Sequence, residues 1–389
     1  MRTERPAQIS RSPLSELEAV LTRHFYRPDL QALRIVLGTI EAHYLKIGDP
    51  AWLFYVAPPG TGKTTMAILG ASELPNVIPL GDFNERTFIS GFYGHAEPGL
   101  LEKLGRTEQS GKTFVTTGNG VFVAKDFTTV LSMRRETRAV ILSQLREIHD
   151  GEFRRSFGTG ETKIWRGRVS IVAAVTPALD RHYSIFSVLG ERFLQVRSHR
   201  PDSEKAGEWA IRQQGNEAEI RRTLRCAMGE LFRNALNDPP ALSAQMTSRT
   251  AALAEIVAFA RTHVFRSSYG KRDIDYIPEP EANTRISKGL AAIAKGIAAL
   301  NRRTQVTDVE LQDAFRVALD CLPEYRRRLL TAILEGKDFE SVAMPRTVRS
   351  RELEELVELG ILTDAFRVTE KIEALLLVAR LSLRGKGEA

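Results

Sequence analysis

The 389-residue chain is 43% hydrophobic and 26% charged, the composition of an ordinary globular protein and not of a disordered or fibrous one. No apolar run approaches the roughly 20 residues that span a bilayer, and the start "MRTERPAQISRSP" lacks the apolar stretch of a secretory signal. The net charge of +7 permits contact with nucleic acid without establishing it, and two distant cysteines, Cys226 and Cys321, suit a reducing cytoplasm better than a disulfide scaffold or a zinc site.

Apolar positions at helical spacing in "LSELEAVLTRHF" and "LQALRIVLGTIEAHYL" predict two helices within residues 14–46. "WLFYVAPPGTGKTT" then reads as a short buried strand, a Gly/Pro turn and the start of a helix. Residues 75–120 are rich in Gly, Asn and Thr and suggest a strand, loops and one short helix at "GLLEKL". A strand at 120–125 leads to the carboxylate of Asp126, and a long helix is expected near 135–149. "GEFRRSFGTGETKIWRGR" places two polar arms around "GTG", which predicts a hairpin, and "VSIVAAVTP" is a further buried strand ended by Pro177. Beyond about residue 200 the pattern is helical, with breaks at "DPP" (238–240) and "YIPEPEANT" (276–284). Strands interleaved with helices, followed by helices alone, predict an α/β domain and then an all-α one.

"APPGTGKTT" carries a phosphate-binding pattern over Ala57, Pro58, Pro59, Gly60, Thr61, Gly62, Lys63, Thr64 and Thr65. Glycines let backbone N–H groups turn inward around an anion, and the helix that follows aims its positive end at it. Lys63 suits the β- and γ-phosphates of ATP, and the Thr64 hydroxyl suits Mg2+. Alanine stands where the pattern has its first glycine, a position that needs a small residue. Asp126, ending a buried strand downstream, is either the second magnesium ligand or a helix N-cap.

"PPGTGKT" and the order of segments after it resemble the AAA+ ATPases, nearest the branch of MCM helicases and MoxR-type proteins. "KDFTTVLSM" and "VLGERF" also resemble AAA+ proteins of phages and integrative elements. The resemblance runs from about residue 45 to 322. It implies a P-loop AAA+ core with a parallel sheet between helices at 47–200, preceded by N-terminal helices at 1–46. An all-α lid at 201–322 and a C-terminal winged helix at 323–389 complete the expected fold. In this resemblance "GVFVAKDF" is the Walker B strand and "IVAAVTP" the sensor-1 strand, with Thr176 where asparagine is more frequent. "VLGERFLQV" resembles the Arg-Phe box and makes Arg192 an arginine finger for a neighbouring subunit's ATP, so a ring or helical homo-oligomer, a hexamer, is expected. "ANTRISKGLAAIAKGIAAL" resembles the start of a lid helix, with Arg285 as sensor 2. Read from the residues alone, Arg192 is alternatively an exposed residue capping a helix end, whereas Arg285 in a first helical turn opposes the macrodipole unless an anion relieves it.

In that family a glutamate follows the Walker B aspartate and polarises water, but here Phe127 follows Asp126. Either another carboxylate (Glu136, Asp82 or Glu85) enters the site, or ATP gates a switch that hydrolyses slowly or not at all. The cargo reading is DNA, as would suit a mobile genetic element, or a protein client. Between Phe153 and Arg168 five basic residues face one acid, Glu161, so Arg154, Arg155, Lys163 and Arg166 are candidate phosphate contacts, with Phe153, Phe157 and Trp165 able to stack or pack. In the C-terminal segment Arg346, Thr347, Arg349 and Arg351 start the second helix of the expected winged unit, where a major groove would lie, although the segment is neutral overall.

Overall fold

In β1 (Trp52–Val56) side chains alternate, so Trp52, Phe54 and Val56 join one hydrophobic core while Leu53 and Tyr55 join the other. All five are buried, which requires helices over both faces. The computed structural model describes residues 12–59, 74–81, 83–84, 86–89, 98–182, 192–198, 203–267 and 273–379. Among these residues one mainly parallel seven-stranded sheet runs in the order β2-β4-β6-β1-β7, formed by β2 (Val77–Leu80), β4 (Thr113–Ala124), β6 (Thr162–Val175), β1 and β7 (Phe193–Arg197). β3 (Gly105–Ser110) pairs antiparallel with β4, and β5 (Glu152–Ser156) pairs antiparallel with β6.

β4 and β6 are much longer than the apolar runs that announce them. They stay paired in parallel from Thr113↔Thr162 to Ala124↔Ala173, so their polar N-terminal halves, with β3 and β5, extend the sheet beyond its helices. The expected hairpin is therefore continuous with the buried strand of "VSIVAAVTP". Residues 105–120, within the stretch expected to hold a strand, loops and one short helix, make a second hairpin beside it. The two tips meet where the Lys112 ammonium donates to the Thr159 carbonyl at 3.0 Å. At the waist Gly105, Gly118 and Gly167 lie in register, and a Cβ on Gly167 would stand 1.9 Å from the Gly118 carbonyl oxygen.

α1 (Pro13–His24) is capped by Ser12, and α2 (Leu30–Tyr44) by the carboxylate of Asp29, which accepts from the Ala32 N–H at 3.0 Å. α2 is apolar on nearly all sides because it is covered on nearly all sides, lying against the sheet and against a later helix. α2 thus supplies a structural layer of the α/β unit. On the opposite face lie the short α3 (Thr128–Leu131) and α4 (Arg135–His149), whose Ile141, Leu145 and Ile148 meet Phe54, Trp165 and Ile171 in one core.

The helical region comprises α5 (Ser203–Arg212), α6 (Glu217–Arg233), α7 (Ala244–Ala260), α8 (Thr284–Leu300) and α9 (Asp308–Asp320), with the two-stranded β8 (Phe265–Arg266) and β9 (Ile274–Tyr276) between α7 and α8. α8 crosses α2 where Gly38 and Gly296 face each other, and a Cβ on Gly296 would lie 2.0 Å from the Gly38 carbonyl oxygen. The chain ends in α10 (Glu324–Leu334), a 3-10 turn at Phe339–Ser341, α11 (Arg346–Glu358) and α12 (Glu370–Ala379). The expected β-wing shrinks to a single antiparallel bridge, Leu362↔Val368. Buried Arg326 fastens this terminal unit by donating to Glu355 at 2.6 Å, Glu352 at 3.3 Å and the Ala260 and Thr262 carbonyls at 2.7 and 2.8 Å. Among the described residues no helix is long and apolar enough to cross a membrane.

Candidate functional site

Parallel pairing brings the C-terminal ends of β4, β6 and β1 side by side. Val56 is level with Val175, and Ala124 with Ala173, so the chain leaves β1 at Ala57, β6 at Thr176 and β4 towards Asp126 on one edge of the sheet. Ala57 is fully buried and its N–H donates to the Val175 carbonyl at 3.0 Å, which accounts for a small residue there. Pro58 is half-buried and Pro59 exposed. Gly60, Thr61, Gly62, Lys63, Thr64 and Thr65 lie outside the described residues, as do Asp82 and Glu85.

Phe127 is fully buried. Its N–H donates to the Ala174 carbonyl at 2.8 Å, and its ring packs against Phe54, Phe83 and Phe193 at centroid distances of 5.1, 5.2 and 5.7 Å. The residues on either side therefore point outward. Asp126 is exposed, and one carboxylate oxygen accepts from the Thr128 N–H at 2.8 Å, the local bond of a helix start. Asp126 thus closes an Asx turn one residue ahead of the α3 N-cap, Phe127, and its second oxygen is the one available to a ligand. Asp126, Thr128, Thr129, Ser132 and Met133 line an open depression beyond the strand ends. A single carboxylate among hydroxyls suits Mg2+, which takes one or two protein carboxylates and completes its octahedron with water and phosphate oxygens. Among the described residues no cluster of three His, Cys, Asp or Glu offers a self-sufficient metal cage.

Thr128 was not singled out by its sequence. Its hydroxyl oxygen accepts from the Thr176 N–H at 3.1 Å, and its O–H donates to the Thr176 hydroxyl at 3.4 Å. The Asp-x-Thr order after an apolar strand is a helix-start signal, but the partner on β6 emerges only from strand pairing. Glu136 is exposed in the first turn of α4.

Arg192 and Arg285 lie elsewhere. Arg192 precedes Phe193, which pairs with Trp52 at the N-terminal end of β1, so it stands at the sheet edge opposite Ala57, Asp126 and Thr176. Arg285, in the first turn of α8, lines the same pocket as Arg192, with Asp49, Trp52, His149 and Lys288. This placement does not let Arg285 read a γ-phosphate bound at its own chain's Ala57 edge, the role expected of a same-chain sensor 2. One Arg192 guanidinium nitrogen donates to both Asp150 carboxylate oxygens, at 3.1 and 3.2 Å, beside the C-terminal end of α4, while its Nε has no partner among the described residues. Arg192, Arg261, Arg285 and Lys288 line the pocket, and Asp150, Glu281 and Asp49 pair with them. Burial, with Arg192 and Arg285 adding repulsion, pushes the His149 imidazole down to about 4, so it is neutral and packs edge-on to Trp52 at 5.0 Å. Four basic side chains thus line the pocket, and the N-terminus of α8 adds positive potential.

The basic hairpin is more occupied by protein than its composition suggests. Phe153 and Trp165 pair across the strands and are buried in the core, so they are not stacking platforms. Lys163 pairs with Glu102 at 2.8 Å, Arg166 with Glu152 at 2.9 Å, and Arg155 donates to the Ile89 carbonyl at 3.3 Å. Arg168 donates to the carbonyls of Ile47, Gly48 and Asp49 and ties β6 to the end of α2. Arg154 is exposed. In the terminal unit Arg349 is spent on Glu340 at 2.5 Å and on the Val342 carbonyl at 2.9 Å, whereas Arg346 is exposed and Arg351 is half-buried beside Glu352 at 3.2 Å. No family model matches the chain, and no curated protein matches it.

Proposed function

We propose that this chain is an AAA+-type ATP-binding protein that hydrolyses ATP slowly and uses the nucleotide to control its assembly and its hold on DNA. The observation that carries the reading is the convergence of the Ala57–Pro59 loop, Asp126 and Thr176 at the C-terminal ends of adjacent parallel strands, where open α/β sheets take their ligands. Lys63 would neutralise the β- and γ-phosphates, Thr64 and Asp126 would hold Mg2+, and Thr176 would face the γ-phosphate. Magnesium, when bound, supplies charge neutralisation to the transferring phosphoryl group. In this reading α5 to α9 form the lid and α10 to α12 a reduced winged unit.

Arg192 and Arg285, at the other edge of the sheet, would serve the nucleotide of an adjoining copy. The four basic side chains lining their pocket and the partnerless Nε of Arg192 support this assignment. Water attack would proceed without a carboxylate at residue 127, relying on position and charge neutralisation.

A second reading, a protein client in place of DNA, is favoured by the ion pairs and carbonyl contacts that already occupy Lys163, Arg155 and Arg349. The deciding experiment is phosphate release by the full chain, with and without duplex DNA, against Lys63→Ala. Turnover above that variant and stimulated by DNA is expected. Tight ATP binding with release at the level of Lys63→Ala would replace the motor by a switch, and indifference to DNA would favour the protein client.

A further inference from the structure

The burial of Phe127 leaves open what organises the γ-phosphate end of the site, and the geometry points to Thr128. We propose that Thr128 is a positioning residue that aims the Thr176 hydroxyl at the terminal phosphate and holds Asp126 at the same time. The inference rests on the nucleotide reading given above and adds to it a residue with a defined task.

The loop after β4 has to send Phe127 inward, because its ring completes the aromatic cluster of Phe54, Phe83 and Phe193. That turn puts Asp126 and Thr128 on the outer side, next to the end of β6. Thr128 then makes three contacts. Its backbone N–H donates to Asp126 at 2.8 Å, its hydroxyl oxygen accepts from the Thr176 N–H at 3.1 Å, and its hydroxyl proton goes to the Thr176 oxygen at 3.4 Å. A hydroxyl has one proton to give and two lone pairs. Since Thr128 spends its proton on Thr176, Thr176 accepts there and keeps its own proton for a group outside the pair. The acceptor that fits such an outward donor, beside a carboxylate suited to magnesium, is a phosphate oxygen. Thr128 thereby sets the polarity of Thr176 as well as its position.

The neighbouring hydroxyls do not share this task. Thr129 donates to the Asp126 carbonyl at 3.2 Å and Ser132 to the Thr128 carbonyl at 3.1 Å, both local bonds of α3. Thr128 alone among these hydroxyls bridges to β6.

The test compares ATP and ADP affinities of the full chain with magnesium, by competition against a fluorescent nucleotide. Thr128→Val removes both side-chain bonds at nearly constant volume, and Thr128→Ser keeps them. Thr128→Val should lower the preference for ATP over ADP by about fivefold, the scale of one hydrogen bond, without weakening ADP. Thr128→Ser should retain the preference. In a Thr176→Ala background Thr128→Val should change nothing further, because its effect passes through Thr176. An unchanged preference in Thr128→Val, or a full additional loss in the double variant, would overturn the proposal. So would loss of the folding transition in both Thr128→Val and Thr128→Ala, which would make Thr128 a structural bridge only. If the unsubstituted chain binds neither nucleotide, or Lys63→Ala binds them equally well, the nucleotide reading itself fails and this inference with it.

Discussion

Phe127 shows how one residue can answer a question that its sequence only raises. The missing glutamate is plain from "KDFTT", but the sequence does not say whether the site has lost a base or has turned the position to another use. Its zero exposure and its three aromatic neighbours assign it to the core, where a carboxylate would be unpaired in an apolar setting. Placing there the glutamate of the AAA+ ATPases that the sequence resembles, by Phe127→Glu, should therefore not raise phosphate release. It should instead cost about 3–5 kcal/mol of stability, the range for deleting a buried aromatic, before any cost of burying charge. Thermal unfolding together with phosphate release checks both halves. A variant that folds as well as the original and turns over faster would show that the loop can present residue 127 to the site. Thr128 was illegible for a different reason: its side-chain partner lies on β6, and only the register of β4 with β6 brings them together.

At the scale of elements, legibility followed burial. β1 and the apolar ends of β4 and β6 announce themselves because both of their faces are covered, and α4 matches its expected span because one stripe of it is. The hairpin of β3 and β4 did not announce itself: every residue of β3 is exposed, so no alternation marks it as a strand. The wing expected in "LTDAFRVT" is reduced to one bridge, because the turn takes up Thr363 to Arg367. The crossing of α2 with α8 was invisible for lack of any motif, yet it fixes the helical region against the sheet. Gly296→Ala would drive a methyl group to within contact of the Gly38 carbonyl and should destabilise by about 1–3 kcal/mol. Gly229→Ala, in α6 with nothing near its Cβ position, is the control and should stabilise by up to about 1 kcal/mol. Chemical denaturation of the two variants side by side separates close packing from helix propensity. Equal effects would mean that the crossing has room to adjust.

On the scale of the whole molecule, the separation of the two arginines from the Ala57 edge decides how a working site would be built in the proposed nucleotide reading. Arg192 lies level with the residue before Trp52, six strand rises or about 20 Å from Ala57, and Arg285 lines the same pocket as Arg192. An arginine side chain reaches less than half that distance, and Arg192 is further restrained by Asp150. If these arginines act on nucleotide at all, they act on the nucleotide of another copy, and each chain contributes half of two sites. This has a consequence that no single-chain site shares. Lys63→Ala would remove the proposed phosphate contact and leave Arg192 intact, and Arg192→Ala would do the reverse. Each variant alone should release phosphate at background. Mixed and allowed to exchange subunits, they should regain activity, because an intact loop on the Arg192→Ala chain meets an intact arginine on the Lys63→Ala chain. The regained activity should depend on the mixing ratio and disappear when the two variants are diluted below the concentration at which ATP drives assembly. Arg192→Ala that remains fully active alone would remove Arg192 from the reaction. Two inactive variants that stay inactive when mixed, although sedimentation shows them co-assembled, would mean that Arg192 supports its own chain's site through the fold and not a neighbour's nucleotide.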